Sequence, residues 1–377
     1  MIKYPNITIE PIEVRPQDLF DRDAYVKMLT EKKPDLIDVN LEMYNYLIDR
    51  GLLYGIDSMI KKDKFDLEKL FIGVVDVLKG NDGQLYGLSQ DFTTDAVYYN
   101  KDMFDKYQLP VPTDKMSWSE ILQLAIRFPV DNSGNNSLYG LSTNSPLGIF
   151  GLFYAIGETD NLQMIRKNKL ILESQEWDNI YRNIIKTYKY GAIWDYNTIN
   201  EDLFIKGNVA MKVDSSSYIK SLKSESEFRW GVVTYPVDPK NPDYTPRLNL
   251  NHITSINKNS GQIDNAWNFI RFINSEEVSK AQSKILNGDV LSRPSIMIEN
   301  NAEIDINAFY KLKPMAKYLK YDQQNAGFSA EFIPFFNKEA QKAIEGKLSI
   351  ENSFDNILRE GDIEIKASVS KEQGTAR

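Results

Sequence analysis

The feature that most restricts this chain is a repeated alternation of short apolar runs with amphipathic stretches of helical spacing. That pattern predicts an α/β fold, with a mainly parallel sheet covered by helices on both faces. Pro34–Val39 reads as a short strand, and Leu41, Tyr44, Leu47 and Ile48 then recur at helical spacing. Asp23–Lys32 reads as a helix, while Asn6–Val14 alternates with period two and reads as a strand kept off a central position by Pro11. Asn81-Asp82-Gly83 signals a turn. Ser117-Trp118-Ser119-Glu120 is a capping box that opens the stripe Ile121, Leu122, Ala125 and Ile126. Trp177, Ile180, Tyr181, Ile184 and Tyr188 stripe a second helix, closed by Gly191. Ala266, Trp267, Ile270 and Ile273 stripe a third, and Ser349 caps a last one carrying Phe354, Ile357 and Leu358. Trp177, Trp230 and Trp267 lie inside these elements and are expected in the core, whereas the polar tail Ser368–Arg377 is expected to fray. At 377 residues the chain exceeds the roughly 250–300 at which single cores stop growing, so more than one compact unit is expected.

Composition removes whole classes of chemistry. Cysteine is absent and His252 is the only histidine, which excludes Cys/His zinc sites within the chain and thiol redox work. A Ser-His-Asp triad would have to use His252. No GxSxG, GxGxxG or GxxxxGK[ST] motif occurs, so neither a nucleophile elbow nor a phosphate-cradling loop is indicated, and no cofactor is expected. The net charge of −8 argues against a nucleic-acid partner, which needs clustered Lys and Arg. No apolar run approaches the roughly 18 residues that would cross a bilayer, and MIKYPNITIE lacks the charged-then-apolar layout of a signal peptide.

Five stretches, in this order, resemble the family 1 extracellular solute-binding proteins of ABC transporters, the maltose-binding-protein-like group. They are Tyr4-Pro5-Asn6-Ile7, Pro34-Asp35-Leu36-Ile37, Leu85–Glu120 (LYGLSQDFTTDAVYYNKDMFDKYQLPVPTDKMSWSE), Phe204–Met211 with Trp230–Pro236, and Ile256–Ser275. Leu85–Glu120 parallels the family pattern almost residue for residue, and the whole match runs from about Lys3 to Leu358. Ser89 stands where the family usually has proline, and Ser215-Ser216-Ser217 where a Gly-and-Trp step is common. The family's opening strand and helix have no counterpart before Tyr4, which fits a late start of the sequence.

The resemblance implies a two-lobed periplasmic-binding-protein-like fold, two α/β domains joined by a multi-segment hinge around a ligand cleft. Crossings are expected near Thr93–Asp95, Leu250–Ser255 and Met297–Ile304. They would give an N-terminal lobe of residues 1–94 and 254–298, a C-terminal lobe of 95–253 and 299–366, and a tail of 367–377. It also implies a monomer that binds a carbohydrate, partners membrane permease subunits, and works in the periplasm or at the outer face of the cytoplasmic membrane, lipid-anchored through a segment before this sequence.

A sugar requires aromatic faces and amide or carboxylate groups for its hydroxyls. By position in the family pattern, Phe92, Thr93, Thr94 and Asp95 fall where the chain crosses domains, as ligand contacts or as a hinge turn capped by Asp95. Trp194, Asp195 and Tyr196 follow the Gly191 cap and Tyr218 follows the serine run; Trp194 reads equally as stacking platform or core. Asn249, Asn251 and His252 on the return crossing, and Arg293 near the third, suit hydroxyl contact or hinge hydrogen bonding. Asp131–Ser137 places oxygen side chains at alternating positions as a calcium loop does, but with one carboxylate and Ser142 at the twelfth position it reads as a surface turn, and no metal is expected. The function expected is capture of a carbohydrate, an oligosaccharide, for an ABC permease without catalysis. The competing readings are a carbohydrate-active hydrolase using Asp91 and Asp95, and a sugar sensor on the same fold.

Overall fold

The computed structural model describes residues 8–14, 21–129, 137–143, 145–166, 169–195, 201–284, 290–300, 304–315 and 326–375. The strands that organise it are, in chain order, β1 (Leu36–Val39), β2 (Gly87–Leu88), β3 (Asp91–Asn100), β4 (Tyr139–Thr143), β5 (Ile193–Asp195), β6 (Val209–Ser215), β7 (Trp230–Thr234), β8 (Leu248–Asn249), β9 (Ile253–Ile256) and β10 (Val290–Leu291). The chain divides into two compact units, residues 1–94 with 248–310 and residues 95–247 with 311–377.

The first unit is built on antiparallel pairs. β9 lies between β1 and β2, with Leu36 opposite Ile256 and Thr254 opposite Leu88. β8 and β10 pair antiparallel with the first half of β3, Leu248 opposite Thr94 and Val290 opposite Phe92. The Leu41–Asp49 helix starts where the Asn40 side chain accepts from the Met43 amide at 2.9 Å, and it buries Met43, Tyr44 and Leu47. Tyr44 donates its hydroxyl to the Leu78 carbonyl at 2.6 Å and accepts from the Tyr86 amide at 3.1 Å, so this buried phenol is fully used. Phe71, Phe92 and Tyr310 form a ring cluster, with Phe71 and Phe92 stacked at 5.4 Å.

In the second unit the sheet order is β7-β3-β6-β4-β5; β3 is antiparallel to β6 and β7, and β4 is parallel to β5 and β6. Its core face carries Val97, Leu141, Ile193, Met211 and Val213 against the helices Trp118–Ala125, Gly148–Thr159, Gln175–Lys189 and Ala326–Ile344. The capping box at Ser117 forms, with the Glu120 amide donating to its hydroxyl and the Glu120 carboxylate accepting from its amide. Phe153 packs on Trp177 at 4.7 Å and on Phe336 at 4.9 Å. A Cβ at Gly157 would fall 1.9 Å from the Trp177 ring, so only glycine lets the two helices approach this closely.

Several expectations are corrected. A mainly parallel sheet is the expectation, but parallel pairing is limited to β4 with β5 and β6 and to a two-residue pair of Tyr244–Thr245 with Lys313–Pro314. Strands supplied after a crossing enter their sheet from the other direction, and alternation of elements does not encode that. Residues 8–14 form no strand, and Ile9 stays exposed beside Pro11, which cannot donate to a ladder. Trp230 is only half-buried, its ring 6.2 Å from Tyr98, whereas Trp177 and Trp267 are core. The tail is helical through Thr375, because extending the Ile350–Thr375 helix avoids a new nucleation step. The unit boundaries fall at 248 and 311 rather than 254 and 299. β8 is already bonded to Thr93 and Thr94, and Tyr310 is still packed on Phe71 and Phe92.

Arg293 ties the first unit together. It is 2% exposed, donates to both Asp66 carboxylate oxygens at 2.9 and 2.8 Å, and donates to the Asn274 carbonyl at 3.1 and 2.9 Å. These hydrogen bonds hold the Asp66 carboxyl below its usual range. Replacing Arg293 with Met should lower stability by about 3–5 kcal/mol at pH 7, because Asp66 and the carbonyl lose their donor. A depressed carboxyl contributes stability above its unfolded pKa and loses it as pH falls. The gap between wild type and Arg293→Met, measured by urea unfolding, should therefore narrow below about pH 4.

Candidate functional site

In the second unit, β4, β5 and β6 run parallel and end together, with Thr143 opposite both Asp195 and Val213. Antiparallel β3 enters this unit's sheet at that same end, where Asp95 faces Ser215. One sheet end thus collects Asp95, Thr143, Asp195 and Ser215. In open α/β sheets ligands bind outside the carboxyl ends of the strands, where backbone and side-chain polar groups are presented together. One charged group of residues stands at this end, and a second reaches back along β6 from Asp214 to Lys212.

In the first, Arg247 bridges two carboxylates. Its Nη2 lies 2.8 Å from Glu158 Oε2, its Nε lies 3.7 Å from Asp95 Oδ2, and its Nε donates to Tyr235 Oη at 3.2 Å. Burial pushes the Asp95 carboxyl up, opposed by Arg247 and reinforced by Asp214. Burial also pushes Glu158 up, again opposed by Arg247, with Asp95 adding to the rise. One guanidinium serves two partly desolvated carboxylates, so each keeps capacity to accept from another donor.

The second group surrounds Lys212, which is 3% exposed in the middle of β6. Its Nζ contacts Asp202, lies 3.2 Å from Asp214 Oδ2 and sits 4.0 Å over the Tyr218 ring. Tyr218 donates to Asp202 at 2.8 Å, and burial followed by Asp202 raises its phenol above the ordinary value. Tyr98 donates to the Ser215 carbonyl at 2.8 Å. Asp202, Lys212, Asp214, Ser215, Ser217, Tyr218 and Ser221 line a recess of about 270 Å³.

The sequence-predicted residues distribute unevenly. Asp95, Trp194, Asp195 and Tyr218 belong to this sheet end, while Tyr196 and most of the Asp131–Ser137 loop lie outside the described residues. Trp194, 3% exposed, pairs with Ser142 inside the sheet, which favours its core role over an exposed platform. Phe92 and Arg293 are corrections, one in the ring cluster and the other clamped on Asp66 in the interior of the first unit. Thr93 and Thr94 are strand residues bonded to β8. Asn249, Asn251 and His252 are exposed on the first unit, with His252 Nδ1 at 2.9 Å from Asp38 Oδ1. Sequence reasoning missed Glu158, Asp202, Lys212, Asp214 and Arg247. The legible signal was Lys212 and Asp214 alternating with apolar residues inside an otherwise buried strand, VAMKVDS.

The profile of bacterial extracellular solute-binding proteins matches residues 3–297. The chain belongs to this family. Solute-binding proteins of this family bind their solutes rather than transform them, and they work outside the cytoplasm. Solved structures share the fold of this solute-binding protein over almost its whole length. A sugar transporter from Rhizobium etli in an open conformation is 22% identical, with TM-score 0.65, covering 97% of this chain and 93% of that one. The sugar-binding protein MalE from Xanthomonas citri is 15% identical, with TM-score 0.68, covering 98% and 93%. An ABC substrate-binding protein from Listeria monocytogenes in complex with cycloalternan is 19% identical, with TM-score 0.61, covering 97% and 92%.

Two substitutions test the reading of this sheet end. Lys212→Met should destabilise the protein by about 3–5 kcal/mol at pH 7, since Asp202 and Asp214 lose their counter-ion, and adding Asp214→Asn should recover part of the loss. Trp194→Ala should cost about 3–5 kcal/mol in the absence of any ligand, the value for a buried aromatic. A melting temperature unchanged in Trp194→Ala would return that residue to the role of an exposed platform.

Proposed function

We propose that this solute-binding protein captures a carbohydrate, an oligosaccharide, as a monomer and without catalysis, and delivers it to an ABC-type permease in the cytoplasmic membrane. The observation that carries this reading is the gathering of carboxylates and hydroxyls at one strand end, from Asp95, Glu158 and Asp214 to Ser215, Ser217 and Tyr218. Carboxylates that keep free lone pairs accept from sugar hydroxyls, and serine hydroxyls both donate and accept. The fold-related structures named for sugars, and the one holding cycloalternan, support the same choice of ligand class. The hydrolase reading draws on Asp91 and Asp95, but Asp95 is engaged by Arg247, and the family is one of binding proteins.

Isothermal titration against a panel of neutral oligosaccharides is expected to give one-site binding for at least one member, with no reducing ends released on prolonged incubation. Asp95→Asn should weaken that binding by about 1–3 kcal/mol, as expected for removing one charge-assisted hydrogen bond. Cleavage of a panel sugar that Asp95→Asn abolishes while binding persists would replace this function with the hydrolase.

A further inference from the structure

We infer that the sheet end bearing Asp95, Glu158, Lys212 and Arg247 selects uncharged sugars and rejects those carrying a carboxylate, sulfate or phosphate. This rests on the carbohydrate reading above and narrows it. An anionic ligand needs a cation or several convergent donors, and the two cations described here are already committed. Lys212 lies between Asp202 and Asp214 with its remaining side against the Tyr218 ring, and Arg247 is shared by Glu158, Asp95 and the Tyr235 hydroxyl. Four carboxylates thus face two cations, and in their ionised forms they leave an excess of negative charge. An incoming anion would have to break one of these pairs, stranding a partly buried carboxylate, and would meet like charge as well.

Neutral hydroxyls face no such barrier. Asp214 has one oxygen on the Ser215 amide at 2.7 Å and the other toward Lys212, and the hydroxyls of Ser215 and Ser217, both lining the recess, are 2.6 Å apart. A second observation points the same way. Among the described residues, the buried hydroxyls of Ser142 and Ser216 have no hydrogen-bond partner. Ser142 is in register with Lys212 and so lies on the same sheet face, and Ser216 directly follows β6. A buried hydroxyl without a partner is costly, and these two stand behind the charged groups rather than on the recess lining, so this sheet end carries neutral hydrogen-bonding capacity that the protein itself does not use.

The test pairs each neutral trisaccharide of a gluco-, xylo- and manno-configured panel with its counterpart bearing one terminal uronate, titrated calorimetrically into the wild-type chain. The neutral sugar that binds best should exceed its uronate partner at least tenfold in affinity. That ratio should shrink when salt is raised from 20 to about 500 mM, because the rejection is electrostatic. Asp95→Asn should shrink it severalfold as well, with circular dichroism confirming that the variant is folded. A uronate that binds as tightly as its neutral partner, or a ratio indifferent to both salt and Asp95→Asn, overturns the charge-based selection while leaving the carbohydrate reading intact. Heat from neither series, with folded protein, overturns the carbohydrate reading and this inference with it.

Discussion

Strand β3 is the element on which the rest depends. Its ten residues hydrogen-bond to four other strands, β8 and β10 along Asp91–Thr94 and β6 and β7 along Asp95–Asn100. A backbone so fully paired cannot slip by one residue without turning Phe92, Ala96 and Tyr98 to the wrong faces. Its register therefore sets three things at once: the ring cluster of the first unit, the core sheet of the second, and the place where Asp95 meets Ser215 and Arg247.

The charged sheet end is expensive to maintain. Lysine in a central strand loses hydration that Asp202, Asp214 and the Tyr218 ring offset, and Arg247 does the same work for Asp95 and Glu158. Apolar side chains at these positions would hold the fold at lower cost. Keeping six charged side chains at and beside the strand ends is intelligible for a surface that must offer oriented acceptors to solute hydroxyls. Arg293 shows the contrasting case, an ion pair of similar geometry turned entirely to holding a core.

The helices were legible because their signals are local. The Ser117 capping box, the Trp177 stripe and the Ser349 cap each rest on residues within a few positions of one another, and each formed as its spacing demands. Phe92 and Arg293 each stand near a crossing, which suggests ligand contact or a hinge role, yet their partners Phe71 and Asp66 lie 21 and 227 residues away in sequence. Arg247 was passed over for the same reason, since nothing beside it in the chain announces Glu158 or Asp95.

The amino-acid sequence by itself determined the α/β class, the family through Leu85–Glu120, and the exclusion of thiol and Cys/His metal chemistry, because these follow from composition and near-neighbour spacing. Only the tertiary structure decided that most pairings are antiparallel, that Trp194 is buried, and that Lys212 and Arg247 are locked between carboxylates. Antiparallel strand direction and the Arg247–Asp95 pairing depend on segments meeting across more than a hundred residues, which no local pattern encodes, whereas Lys212 and its near neighbours Asp202 and Asp214 become a charged group only because β6 is buried by the rest of the fold.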